Sequence, residues 1–311
     1  ESLARDLAAL GGTDQVTVGD LTGTDVTQVN LNLAGTIGGT AGDAAADAVI
    51  VNGTNGANSI DIVGAGSSVS VIGLKAQVNV TNSEGANDSL VVNAQGGNDT
   101  VNASNLQAGL VKLKIEAGAG NDTVFGSAGA DLILGGDGND VVDGNQGNDT
   151  MLLGAGDDRV TWAPGEGSDV IEGQDGVDRL DFDGSNASET FNILANGGRV
   201  LLTRDIANVT MDLNDVERIE LSTLGGADNV VIGDLSGTDL TQIELDLRGS
   251  NGGGDGAIDR VAVNGTQGAD NVTIVGDTGG VLIFGLPAQI NLFQTDAGDQ
   301  LVVNGQGGDD V

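Results

Sequence analysis

Asp122, Asp131, Asp140, Asp149 and Asp158 follow one another at intervals of nine residues, and a glycine stands two places before each. After the insertion Trp162-Ala163, Asp169 and Asp178 resume the pattern behind Gly167 and Gly176. Two places after each aspartate comes one large apolar residue: Val124, Ile133, Val142, Met151, Val160, Ile171 and Leu180. Short carboxylates held in glycine turns offer oxygen ligands to a hard cation. Calcium takes six to eight oxygens at about 2.3–2.6 Å, whereas magnesium demands a small octahedral shell and keeps its waters, so the pattern favours calcium. A Gly/Asn/Asp-rich linker would not keep an apolar residue in register through all these units.

The element that must position each carboxylate is a six-residue turn followed by a three-residue strand. The units read AGAGNDTVF (117–125), GSAGADLIL (126–134), GGDGNDVVD (135–143), GNQGNDTML (144–152), LGAGDDRVT (153–161), PGEGSDVIE (164–172) and GQDGVDRLD (173–181). This G-G-x-G-x-D-x-U-x pattern, with U a large apolar residue, resembles the RTX (repeats-in-toxin) calcium-binding family over residues 117–181. Leu153 and Pro164 depart from it at the first position, and Ser127, Asn145 and Gln174 at the second.

The resemblance implies a β-roll in which two units make one turn of a flattened coil, so that each unit stacks on the next but one. Asp122 would then face Asp140, Asp131 would face Asp149, and Asp140 would face Asp158; the insertion leaves the partners of Asp169 and Asp178 open. Family likeness further suggests carbonyl ligands at positions 1 and 3, namely Gly126 and Ala128, Gly135 and Asp137, and Gly144 and Gln146. Several calcium ions are expected. Residues 117–183 hold 15 acidic and two basic residues. Two carboxylates about 4 Å apart repel by about 4 kcal/mol at an effective dielectric near 20. The block is therefore expected to be disordered without calcium and to fold as it binds.

Composition narrows the rest. The net charge of −35 excludes nucleic acid as a charge-driven partner, since phosphate binding needs clustered Lys and Arg. Nine of the acids are Glu and 37 are Asp, a bias that suits tight turns. The absence of Cys and His removes thiolate sites and Cys or His nucleophiles. No nucleophile–base pair or phosphate loop is found, and no enzymatic activity is expected. No run of apolar residues is long enough to span a membrane as a helix, so no membrane insertion is expected. The opening ESLARDLAAL has no apolar signal core and reads as the interior of a longer protein. Glycine makes up about 17% of the chain and aromatics 2%, which suits a thin, repetitive Val/Ile/Leu core.

A longer repeat lies over the short one. GDLTGTDVTQVNLNLAG (19–35) returns as GDLSGTDLTQIELDLRG (233–249), and VNGTNGANSIDIVG (51–64) as VNGTQGADNVTIVG (263–276). Outside the block, Gly/Asp turns precede short alternating strands. Asp88, Asp99, Asp228, Asp270 and Asp310 read there as ordinary turn caps. Residues 190–204 read as a β-hairpin turning at Asn196-Gly197. Only residues 2–9 carry a weak helical period. Trp162 is expected to fill the point where the coil changes register. Arg199, Arg204, Arg218, Arg248 and Arg260 are expected to pair with surface Asp.

The resulting expectation is an all-β, elongated parallel β-roll or β-solenoid with flanking β-rich repeat modules. Its parts are a first module (1–116), the RTX roll (117–181), a hairpin connector (182–223) and a partial second module (224–311). The function expected is an extracellular, calcium-stabilised structural segment of a large secreted bacterial surface, adhesin, matrix or filament protein. Its expected partners are calcium and either a second copy or tandem neighbours of the same repeat. The alternative is a secretion and folding module joined to a secreted protease, lipase or polysaccharide epimerase.

Overall fold

A computed structural model describes residues 3–250 and 252–311. Among them regular structure is almost all β-strand, as the turn-and-strand pattern implies, with one short 3-10 turn at Ile206–Asn208. The chain divides into two compact units, Glu1–Gly156 and Asp157–Val311.

The first unit contains β1 (Leu3–Ala8), β2 (Gln15–Val18), β3 (Val26–Asn32), β4 (Ala48–Asn52), β5 (Ser59–Ala65), β6 (Ser68–Ile72) and β7 (Gln77–Thr81). It continues with β8 (Ser89–Asn93), β9 (Thr100–Leu106), β10 (Lys112–Ala119), β11 (Thr123–Phe125), β12 (Leu132–Asp137), β13 (Val141–Asp143) and β14 (Thr150–Ala155). One sheet runs β1-β3-β7-β6-β5-β9-β11-β13 and the other β2-β4-β8-β10-β12-β14. From β8 onward the chain crosses from sheet to sheet at every turn, and each strand pairs in parallel with the next but one. Val124 lies beside Val101 and Val142, while Ile133 lies beside Ile115 and Met151. All six are buried. Period-2 alternation sends them inward and their neighbours outward. Residues Leu3–Ala8 form a parallel strand on β3, not a helix, because pairing with β3 overrides a weak local period; residue 2 lies outside the described residues.

The coil is interrupted by a three-strand meander. β5, β6 and β7 pair antiparallel with one another, while β7 and β5 pair in parallel with β3 and β9.

The second unit contains β15 (Arg159–Trp162), β16 (Val170–Asp175), β17 (Arg179–Ser185), β18 (Thr190–Asn196), β19 (Arg199–Arg204), β20 (Val209–Asn214) and β21 (Arg218–Leu224). It continues with β22 (Asn229–Ile232), β23 (Gln242–Asp246), β24 (Arg260–Asn264), β25 (Thr273–Asp277), β26 (Gly280–Phe284), β27 (Gln289–Phe293) and β28 (Gln300–Asn304). Its sheets run β15-β17-β21-β23-β27-β26-β25 and β16-β20-β19-β18-β22-β24-β28, with meanders at β18–β20 and β25–β27. Asn196 pairs with Arg199, so the β18–β19 turn is Gly197-Gly198, one residue beyond the expected place. Gly197 has φ 69°, which a side chain resists. β20 then adds a third strand to the hairpin.

Trp162 is buried and stacks on Phe182 with ring centroids 4.0 Å apart. Phe191 meets Phe182 edge-on at 6.3 Å. The Trp162 indole N–H donates to the Gly167 carbonyl at 3.1 Å, inside the loop that follows the insertion. Arg204 departs from the surface pairing expected of it. Its side chain is 3% exposed, pairs with fully buried Glu189, and lies 5.7 Å from the Trp162 ring centroid. Arg199 bridges Glu172 and Asp212 and Arg248 pairs with Asp246, whereas Arg218 donates to Gln242 and Arg260 to Asn229.

Candidate metal centre

Each nonapeptide aspartate immediately precedes a strand, so parallel pairing of the strands stacks the carboxylates. In the first unit the Asp99 N–H donates to Asp122 Oδ1 at 2.7 Å, the Asp122 N–H to Asp140 Oδ1 at 2.8 Å, and the Asp131 N–H to Asp149 Oδ1 at 2.8 Å. In the second, the Asp158 N–H donates to Asp178 Oδ1 at 2.9 Å and the Asp178 N–H to Glu217 Oε2 at 2.7 Å. The structure thus brings together Asp122 with Asp140 and Asp131 with Asp149, and gives Asp178 the partners Asp158 and Glu217. Asp140 and Asp158 lie in different units. Asp169 is buried, and its carbonyl accepts the Asp212 N–H at 2.9 Å.

The second carboxylate oxygen is where a cation would be met. Oδ2 of Asp122 and of Asp178 is buried and has no hydrogen-bond partner. A lone buried acceptor of this kind is costly unless something neutralises it. Asp131 differs because Ser127 stands at position 2 of its turn: its Oδ2 accepts the Ser127 N–H at 2.5 Å and its Oδ1 the Ser127 hydroxyl at 2.9 Å.

Where glycine holds position 1, its missing side chain leaves room beside the same oxygen. A Cβ on Gly135 would lie 2.6 Å from Asp140 Oδ2 and collide with the Leu153 carbonyl oxygen of the stacked turn. A Cβ on Gly126 would lie 3.0 Å from Asp131 Oδ2 and collide with the Gly144 carbonyl. The Cβ positions of Gly144 and Gly173 fall 2.5 Å from Asp149 Oδ2 and Asp178 Oδ2. Missing side chains thus leave cradles bounded by a carboxylate oxygen, joined at Gly126 and Gly135 by the carbonyl of the stacked turn. Of the position-3 residues, Asp137 and Gln146 are exposed and Ala128 is half-buried. The Asp137 carbonyl accepts the Gly120 N–H at 2.7 Å.

Burial pushes the carboxyl of Asp122 above the ordinary carboxylate range. Burial, followed by the charges of Asp158, Glu217 and Asp157, pushes Asp178 up to about 7. Asp131 rises to about 6 through burial, with its bonds to Ser127 opposing. These are anions short of positive charge. Among the described residues no three His, Cys, Asp or Glu side chains converge on one point. A cation here would accordingly rely on backbone carbonyls with one or two carboxylates. That all-oxygen donor set, with Asp122 and Asp178 each keeping a free buried oxygen, fits calcium.

The ladder runs beyond the nonapeptide block, which sequence reading missed. The Asp14 N–H donates to Asp47 and the Asp47 N–H to Asp88. Glu189 donates to Asp228, Asp228 to Asp259, Asp259 to Asp299, and Asp270 to Asp310 in the same way. Asp88 and Asp270 also cap their own turns, through the N–H groups of Glu84 and Thr266. Asp99 and Asp228 instead keep a buried Oδ2 with no hydrogen-bond partner. Except at Asp270 and Asp310, the signal was present in the sequence, as an acid just before the first residue of successive strands.

Comparison with known families finds the RTX calcium-binding nonapeptide repeat in four copies, over residues 114–142, 125–160 and 165–186. The chain therefore carries RTX calcium-binding repeats in its middle section. Among solved structures, the crystal structure of the extracellular lipase LipA from Serratia marcescens matches at 13% identity and a TM-score of 0.18. That match covers 61% of this chain and 43% of the lipase. No curated protein matches the chain in sequence.

Proposed function

We propose that this chain is a calcium-folded structural repeat segment of a large secreted bacterial surface, adhesin, matrix or filament protein, without catalytic activity of its own. The observation that carries the reading is the stack of Gly/Asp turns in which Asp122 and Asp178 hold a buried, unbonded carboxylate oxygen. The block buries little apolar surface on folding, with one large inward side chain in most nonapeptides, while its carboxylates repel one another. Bound calcium supplies the positive charge that lets such turns stack. Asp122, Asp131, Asp140, Asp149, Asp158, Asp169 and Asp178 supply carboxylates, and the position-1 carbonyls of Gly126, Gly135 and Gly144 supply neutral oxygens. Folding is then linked to the calcium concentration outside the cell, because ligand binds the folded state alone. The internal duplication supports a structural array over a module serving an enzyme.

A calcium titration followed by far-UV circular dichroism and light scattering tests this. A cooperative gain of β signal with scattering rising at the same midpoint is the expected result. Folding without scattering would move the reading to a monomeric spacer or an enzyme's secretion module. Full β content in excess chelator would overturn it.

A further inference from the structure

One turn of the first unit has the pattern of a nonapeptide turn without its aspartate. Residues 53–61 read GTNGANSID, with Gly53 and Gly56 at positions 1 and 4, Ile60 at position 8, and Asn58 where the carboxylate belongs. Ile60 is buried, and β5 pairs in parallel with β9 as strands of the block pair with one another. Asn58 also joins the ladder, since its N–H donates to Asp99 Oδ1 at 2.6 Å.

The Asn58 side chain brings donors into this turn. Its Nδ2 meets four oxygens: the carbonyls of Thr54 at 3.1 Å and Gly56 at 2.6 Å in its own turn, the carbonyl of Ala94 in the stacked turn at 3.2 Å, and Asp99 Oδ1 at 2.9 Å. Its Oδ1 accepts the Thr54 N–H at 3.3 Å. Only this setting of the amide matches donors to acceptors. The glycine at position 1 shows that Nδ2 stands where a carboxylate oxygen stands in the block. A Cβ on Gly53 would lie 2.8 Å from the Ala94 carbonyl oxygen and 3.3 Å from Asn58 Nδ2. The corresponding neighbours at Gly135 are the Leu153 carbonyl oxygen and Asp140 Oδ2.

Three carbonyls and a carboxylate converging on one point are oxygens that a hard cation would gather. The amide gathers them by donating its two hydrogens, and it brings no negative charge that a cation would have to offset. The repeat itself exchanges this residue for an acid. In the second copy Asp270 takes the place of Asn58 and caps the Thr266 N–H at 2.8 Å, as Asn58 caps that of Thr54. A carboxylate therefore fits such a turn without refolding it.

We propose that Asn58 closes its turn to calcium, its amide standing in for the ion, so that the residue at position 6 decides which turns of the coil are built on calcium. The proposal rests on the calcium reading above.

Isothermal titration calorimetry on the full chain tests it. Asn58→Asp should bind one calcium ion more than the unaltered chain and give the same dichroism spectrum in saturating calcium. Asn58→Ala removes the donors without adding a ligand. It should bind as many ions as the unaltered chain and lower the urea midpoint by about 0.5 M or more in saturating calcium. An Asn58→Asp chain that takes up no further ion, or that stays unfolded in saturating calcium, overturns the proposal. Loss of an ion in Asn58→Ala also overturns it, because Asn58 would then be a ligand itself. The unaltered chain keeps the two readings apart: calcium uptake there with no gain in Asn58→Asp overturns the role of Asn58 alone, whereas no uptake at all overturns the calcium reading.

Discussion

Removing the guanidinium of Arg204 should expose how much this fold depends on a cation it carries within itself. Arg204→Met keeps an unbranched apolar stem and deletes the charge. Glu189, whose side chain is 0% exposed, would keep the Ser185 N–H bond at 2.6 Å and lose the guanidinium it pairs with. Breaking a buried pair from one side costs about 3–5 kcal/mol. With a urea dependence of about 2 kcal/mol per molar, the unfolding midpoint should fall by roughly 2 M. The chain has one tryptophan and no tyrosine, and Trp162 sits against Arg204, so its fluorescence follows the unfolding of this unit directly. Titrations are run in saturating calcium to hold ligation constant. Arg204→Met combined with Glu189→Gln removes both charges of the pair and should recover more than half of the loss. A midpoint shift below about 0.5 M for the single variant, or a double variant as damaged as the single, would refute the reasoning.

Asp122→Asn and Asp178→Asn retain an Oδ1 that can accept the N–H of Asp99 and of Asp158 but remove the unbonded anionic oxygen. Each should lower calcium stoichiometry or affinity by tenfold or more in isothermal titration calorimetry, with little change in the calcium-saturated dichroism spectrum. Gly138→Ala should destabilise by at least about 2 kcal/mol, since φ is +127° and the new methyl collides with the Gly120 carbonyl; Gly165→Ala, with φ +111° in open space, should cost only about 1 kcal/mol in the same denaturation assay. Burial, followed by the bond from Glu189 that opposes it, leaves Asp228 with a carboxyl pushed up to about 7. The folded state therefore binds a proton that the unfolded chain, near 3.9, releases. Its contribution is fully present below about 4 and is lost as pH rises toward 7. Asp228→Asn should flatten that slope and stabilise the chain at pH 8, as read by denaturant midpoints across pH; an unchanged slope would count against a buried, protonated Asp228.

The seven nonapeptides were legible because their chemistry is local: a turn needs glycine, a strand needs one inward apolar residue, and both recur at fixed spacing. The stacking order came from the family resemblance, in which a coil of two units per turn places each aspartate beside the next but one. In the flanks the spacing varies between turns, so Asp88, Asp99 and Asp228 read as isolated caps until strand pairing aligned them. The hairpin at residues 190–204 was visible from its alternation and glycines, but β20 joins it from across the turn at Ile206–Asn208, which no hairpin signal encodes.

The sequence by itself determined the all-β class, the repeat, the acidic charge and the periodic placing of the carboxylates, because each is a property of residue type and short-range order. Tertiary structure alone decided which oxygens remain unbonded. Asp131 and Asp122 occupy the same place in their units, yet Ser127 satisfies both oxygens of the first and nothing satisfies Oδ2 of the second. It also decided that Arg204 goes inside, where Glu189 and Trp162 meet it. Burial and partnership depend on which distant strand lies alongside.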